Sequence, residues 1–253
     1  MNIALILSFD GSDFNGFQVQ KNAPSVQACL EKSLSILLNE KIKIIGCGRT
    51  DTGVSAINYC INFNYTVENL ATDFCYKLNK ILPNSIAVYY VYKVNNEFNA
   101  RFDAIDRTYK YKCTLVKNPF LKHTHLQLSK LPNIETINDA ATYLLGTHDF
   151  KSFSKVKTEV NNYKCTVLES HWKLYNDELI YTIKANRFLR NMVRAIVGTL
   201  LDIGLEKREI QSLNHIMAAQ DRCKAGKSVQ AHGLSLEMVN YDKTNWQLLQ
   251  SIN

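Results

Sequence analysis

Glycine and proline are scarce in this chain, at 10 and 4 of 253 residues, against usual shares of about 7% and 5%. That poverty excludes a collagen-like chain, and it means that each remaining glycine marks a backbone position with a special demand. Paired cysteines are missing as well. Cys29, Cys47, Cys60, Cys75, Cys113, Cys165 and Cys223 are odd in number and widely spaced, with no C-x-x-C. A disulfide framework or a zinc knuckle needs close pairs, so these read as small core residues in a reducing compartment. His123 and His125 sit two apart in a polar stretch, which predicts a solvated loop and no metal site. No apolar run reaches about 18 residues, because Arg194 and Asp202 interrupt Met192–Leu205, the best candidate. The first residues lack a basic segment and a small-residue cleavage pattern, so the expectation is a cytoplasmic protein without membrane attachment. Neither G-x-x-x-x-G-K-[ST] nor G-x-G-x-x-G nor an RNP1 pattern occurs, so ATP and dinucleotide chemistry are not indicated.

What the chain does have is a globular composition, 46% hydrophobic and 21% charged, which sets aside disorder and coiled coil. Its length allows one to two domains. Thirty Lys and Arg against 23 Asp and Glu give +7, which suits a phosphate-bearing partner without naming one.

The pattern of apolar residues orders the chain. Ile3–Phe9 reads as a strand. Ser25 caps a helix with Val26, Leu30, Leu34, Leu37 and Leu38 on its buried face, ending near Asn39. Ile42 and Ile44 alternate with lysines as a strand running into Gly46. Next, Ile57, Tyr59, Ile61, Phe63 and Tyr65 alternate with Asn58, Cys60, Asn62 and Asn64 as a second strand. A helix follows through Leu70, Phe74, Leu78 and Leu82, then a strand over Ile86–Val94. This β-α-β-β-α-β order is the ferredoxin-like unit. A looser second copy follows. It has a strand through Tyr109 and Tyr111, a helix opened by Asn133 and stopped by Gly146, and a hairpin turning at Asn176-Asp177. Helices from about Phe188 to Ile203 and Glu206 to Ala219 come next, then a strand near Leu234–Tyr241. The expectation is an α+β chain of two such halves, 1–104 and 105–253, on one central antiparallel sheet.

Two features carry chemistry. Five glycines (Gly11, Gly16, Gly46, Gly48, Gly53) bracket two polar loops. The second, Gly48-Arg49-Thr50-Asp51-Thr52-Gly53, sets one carboxylate between a guanidinium and two hydroxyls. That setting favours an ionised carboxylate, fit for a nucleophile or an electrostatic stabiliser; an Asp that merely closes a β-turn fits the composition equally well. Asp51-Thr52-Gly53 is also the triplet of aspartic proteases. Such a protease needs a second carboxylate to share a proton; no second D-[ST]-G exists, and the adjacent Arg opposes sharing. On a helix from Phe188, Arg187, Arg190 and Arg194 would form one basic stripe continued by Gly198, which leaves room for a ligand to approach. A solvated helix face is the plainer reading of that stripe. In Arg107-Thr108-Tyr109-Lys110-Tyr111-Lys112 the tyrosines share one strand face and the lysines the other, fit for base stacking, for phosphate contact, or simply for a core beneath solvated lysines.

Taken together, Asp10-Gly11-Ser12-Asp13-Phe14-Asn15-Gly16-Phe17-Gln18, Gly48-Arg49-Thr50-Asp51-Thr52-Gly53-Val54, Phe98-Asn99-Ala100-Arg101-Phe102, Leu145–Phe153, Asn191–Gly198 and Gly233-Leu234-Ser235-Leu236 resemble successive signatures of the TruA-type tRNA pseudouridine synthases. They follow the family order over nearly the whole chain. The resemblance implies two ferredoxin-like halves around one sheet and a basic cleft. It implies a cofactor-free isomerisation of uridine in the anticodon stem-loop of tRNA, at positions 38, 39 and 40, by a homodimer. It makes Asp51 the catalytic aspartate, Tyr109 the aromatic that packs on the target base, Arg194 the cation paired with the aspartate and Leu234 an apolar pocket residue. Arg49 and Arg101 would orient the loop or contact RNA. Phe17 stands where the family usually has Trp, Thr52 where it has Ala, and Ser55 and Asn99 where it has His. These departures leave the aspartate, tyrosine and arginine intact and bear on RNA contacts near Ser55 and Asn99. A reading of another class, a noncatalytic tRNA-binding or chaperone module, predicts tRNA binding without modification.

Overall fold

A computed structural model of the chain describes residues 1–67, 69–156, 160 and 162–252. Along the chain the elements are β1 (Asn2–Phe9), α1 (Val26–Leu38), β2 (Ile45–Gly46), β3 (Ser55–Asn64), α2 (Phe74–Ile81), β4 (Ile86–Val94), β5 (Asp106–Thr114) and β6 (Leu126–Gln127). They continue with α3 (Ile134–Thr142), β7 (Gly146–Asp149), β8 (Lys164–Tyr175), β9 (Glu178–Ala185), α4 (Met192–Gly204), α5 (Ser212–Ala219), β10 (Leu234–Asn240) and β11 (Gln247–Ser251). They fall into two compact units, one of Met1–Ile105 with Leu236–Asn253 and the other of Asp106–Ser235.

The first unit follows the β-α-β-β-α-β order, with strands arranged β11-β4-β1-β3-β10 and β2 paired to β3. Ser25 caps α1 by accepting from Ala28 N at 3.3 Å, and Asn39 ends it in the left-handed conformation, φ 50°. Val26, Leu30 and Leu34 are fully buried on that helix. The strand expected through Ile42 and Ile44 shrinks to Ile45–Gly46. Side chains of α1 are the cause: Ser35 Oγ accepts from Ile42 N at 2.9 Å and Glu31 Oε1 from Ile44 N at 3.3 Å, so these amides need no partner strand.

Strand β3 was expected to bury one face, yet Cys60 and Asn62 are as buried as Tyr59, Ile61 and Phe63. The segment after β4 covers the second face. Asn62 Nδ2 donates to Asn2 Oδ1 (3.0 Å) and Phe98 O (3.1 Å), and its Oδ1 accepts from Ala100 N at 2.9 Å. Phe98, Tyr241 and Trp246 pack edge-on or tilted at 5.1–5.5 Å beside it. The C-terminal strand then pairs with β4, Gln247 facing Lys93 and Leu248 facing Tyr92. A second half running to residue 253 is therefore corrected: Leu236–Asn253 belongs with the first unit, held there by this aromatic cluster and ladder.

In the second unit the sheet runs β5-β9-β8-β7, antiparallel, with β6 parallel to β5. The β8–β9 hairpin turns at Asn176, φ 52°, as its Asn-Asp sequence predicts. Asn133 caps α3 by accepting from Thr136 N at 3.0 Å. Helices α3 and α4 approach closely at Gly204, where a Cβ would lie 2.1 Å from Ile137 Cγ2. The chain is thus α+β with mostly antiparallel strands, as expected.

Candidate active site

The loop carrying Asp51 is built by its glycines. The first polar loop packs on the second backbone to backbone, with Phe17 N donating to Thr50 O (3.4 Å) and Gly53 N to Phe14 O (3.4 Å). A Cβ on Gly16 would lie 2.5 Å from Thr50 O, and Gly16 also has φ +91°, a conformation that L side chains rarely adopt. Val54 N closes the turn on Asp51 O at 3.1 Å, ahead of β3. Below it, Phe17 stacks on Tyr59 with ring centroids 4.6 Å apart, and the Tyr59 hydroxyl donates to Gly48 O. Asp51 is half-buried on this framework, and Arg49 is exposed. One expectation fails here. The Thr50 hydroxyl does not support Asp51: its Oγ1 is buried with no hydrogen-bond partner.

Three of the four departures from the family pattern, Phe17, Ser55 and Asn99, have local explanations. Phe17 is a buried packing residue at 4% exposure, where a flat ring on Tyr59 is what the site asks for. Ser55 Oγ accepts from Gly11 N at 3.0 Å, tying the first loop to β3. Asn99 Oδ1 accepts from Arg101 N (3.0 Å) and Phe102 N (3.2 Å), which shapes the turn that presents Arg101 over the exposed Phe102 ring at 5.3 Å. Thr52 is exposed, and nothing in the structure explains its difference.

In the second unit, Tyr109 stands on β5 opposite Ile183, half-buried, with the Phe188 ring edge-on at 5.0 Å. Tyr111, two residues on, is fully buried and donates to Gln230 O at 2.8 Å. The pair that shares a strand face in the sequence therefore divides into a core tyrosine and a half-buried one. Burial pushes the Tyr111 phenol far above its ordinary value, Cys113 adds to the rise, and the Arg194 guanidinium opposes it.

The basic stripe is also corrected. Asn191 has φ 67° and α4 begins only at Met192, so Arg187 and Arg190 precede the helix and Arg194 alone of the three lies on it. Arg187 donates instead to Asn162 Oδ1 at 3.4 Å. Nor does Gly198 leave space for a ligand, since a Cβ there would lie 1.9 Å from Lys227 O. The 226–230 segment fills that space, and Arg194 Nε donates to Val229 O at 2.8 Å. Sequence reasoning passed over this segment and Arg222, whose guanidinium donates to Gly226 O (3.0 Å) and Ser228 Oγ (2.8 Å). Polar residues in a stretch without periodicity gave no signal for them. Leu234, at 6% exposure, opens β10.

His125 differs from expectation too, being 7% exposed rather than solvated. Its Nδ1 meets the Thr124 hydroxyl at 2.8 Å and its Nε2 lies 3.4 Å from the Glu178 carboxylate. Burial lowers its pKa below the ordinary value, Glu178 offsets part of that, and Lys112 and His232 add to the lowering. No group of three or more His, Cys, Asp or Glu able to hold a metal ion occurs among the described residues.

The first unit thus presents a half-buried carboxylate on a glycine-packed turn, and the second a half-buried aromatic on a strand that also carries lysines. Comparison with known proteins gives the class. Residues 140–242 match a family model described as tRNA pseudouridine synthase. Proteins named tRNA pseudouridine synthase A from Bacteroides fragilis and Parabacteroides distasonis are 41% and 42% identical to the chain over 239 and 243 residues, covering 94% of it and 95% and 94% of their own lengths. One so named from Bacillus subtilis is 39% identical over 96% of the chain and 100% of its own length. The chain belongs to the tRNA pseudouridine synthase A family and is an isomerase. A solved structure, "Crystal Structure of a Cbf5-Nop10-Gar1 Complex", overlaps 90% of the chain at a TM-score of 0.39 and 10% identity, and bears no weight here.

Proposed function

We propose that the protein converts uridine to pseudouridine in the anticodon stem-loop of tRNA, at positions 38, 39 and 40, with Asp51 as the catalytic carboxylate. The observation that carries the reading is an Asp51 turn made rigid by close glycine packing, in a chain about 40% identical to the named synthases over 94% of its length. In the reaction the N1–C1′ bond breaks, uracil rotates and C5 joins C1′; the C5 proton leaves to solvent and N1 takes one up. There is no net redox change and no phosphate transfer. The target base must leave its stack, which costs a few kcal/mol. Stacking on Tyr109, worth about 1–3 kcal/mol, offsets much of that. Arg194 supplies the counter-charge to the carboxylate, Leu234 an apolar wall for the base, and Arg49 and Arg101 contacts to the RNA backbone. A homodimer and a cytoplasmic location go with this reading.

The test is tritium release from tRNA labelled at uridine C5. Asp51→Asn should abolish release while leaving tRNA binding intact, and normal release would overturn the assignment. Mapping the product should show pseudouridine at positions 38–40 only; product elsewhere in the tRNA would refute the site. A protein that binds tRNA but forms no pseudouridine would be the noncatalytic module.

A further inference from the structure

An arginine side chain is flexible, and it serves as a fixed charge only where neighbours immobilise it. Arg194 rises from the first turn of α4, and Val229 bonds it twice. Its Nε donates to Val229 O at 2.8 Å, and Val229 N donates back to Arg194 O at 3.2 Å. Val229 lies outside any helix or strand, so no ladder of its own holds that carbonyl in place.

What holds it is the stretch immediately before it. Arg222 spans this stretch with both ends of its fork, Nη1 to Gly226 O at 3.0 Å and Nη2 to Ser228 Oγ at 2.8 Å. Ser228 Oγ also accepts from Asn191 Nδ2 at 2.7 Å, so both of its acceptor positions are used. Gly226 N donates to Thr199 Oγ1 at 2.8 Å, and Gly198 admits the Lys227 carbonyl against α4. These bonds fix residues 226–228, directly before the Val229 carbonyl that Arg194 bonds, and Tyr111 holds the Gln230 carbonyl directly after it.

We propose that Arg222 is a positioning residue for the isomerisation: its two-pronged bond fixes residues 226–228 so that the Val229 carbonyl sets the Arg194 guanidinium. The inference rests on the reading above that Arg194 takes part in the reaction. A lysine at 222 offers one compact ammonium on a flexible stem in place of the planar fork, and so holds the two acceptors less rigidly.

The test uses the full chain and C5-tritiated tRNA. Arg222→Ala should lower kcat about 10- to 100-fold, as expected when a reacting group moves by around 1 Å, and change KM for tRNA by less than about threefold. Arg222→Lys should fall between, and Ser228→Ala, which disturbs the fold least, should lower kcat about threefold. In an Arg194→Ala background, Arg222→Ala should have less than about a twofold further effect. An equal fold-loss from Arg222→Ala in both backgrounds would mean general structural support and overturn the proposal. So would wild-type kcat in Ser228→Ala, or in Arg222→Ala while Arg194→Ala is impaired. Full activity in Arg194→Ala would instead overturn the reading of Arg194, and the proposal with it.

Discussion

Gly16→Ala should damage the Asp51 loop without touching Asp51. At φ +91° an L residue is strained by about 1–2 kcal/mol. Its Cβ would also lie 2.5 Å from Thr50 O, a backbone atom that must withdraw about 0.9 Å to reach ordinary contact at 3.4 Å. Such overpacking adds about 1–3 kcal/mol. The total, about 2–5 kcal/mol, corresponds to a fall in Tm of roughly 4–20 °C in a chain of this size. Because the atom that moves is one residue from Asp51, kcat should drop about 100-fold. Gly48→Ala is the control, since nothing lies within 4 Å of its Cβ and its φ is ordinary; it should cost less than about 0.5 kcal/mol. Thermal melting and tritium release would be measured on both. If Gly16→Ala melts within 1 °C of the parent at full kcat, or if Gly48→Ala loses as much stability, the loop is not held by glycine packing.

Asn62→Leu should cost about 2–4 kcal/mol in urea unfolding, because it strands buried Ala100 N after removing three hydrogen bonds; a loss under 0.5 kcal/mol would show that the 95–104 segment holds without it. Asn191→Ala should cost about 1–2 kcal/mol and Asn191→Gly less, because the φ of 67° suits Gly but not Ala; an equal loss in both would put the whole effect on the Ser228 bond. His125 has its folded pKa below the unfolded value of 6.5, so the unfolded state binds the proton first and stability is lost as pH falls through 6.5. His125→Gln should flatten that dependence between pH 7 and 5, and an unchanged pH profile would refute it.

Local chemistry was enough for much of this. Ser25 and Asn133 as caps, Asn39 and Asn176 in left-handed turns, and the limits of Ile86–Val94 follow from hydrogen bonds and sterics within a few residues, which the sequence states directly. The order of elements in the first unit and the clustering of glycines around Asp51 were legible for the same reason. Other features depend on partners far along the chain. Asn62 looks like an outward polar residue until the 95–104 segment lies over it. Gly198 looks like an opening until Lys227 occupies it. Arg187 and Arg190 fit a helical stripe until Asn191 turns the backbone ahead of α4, with its side chain bonded to Ser228, 37 residues later. Periodicity records which face a residue takes on its own element. It carries nothing about what covers that face, and in this protein the coverings from residues 95–104, 226–230 and 236–252 decide what is core and what holds Arg194.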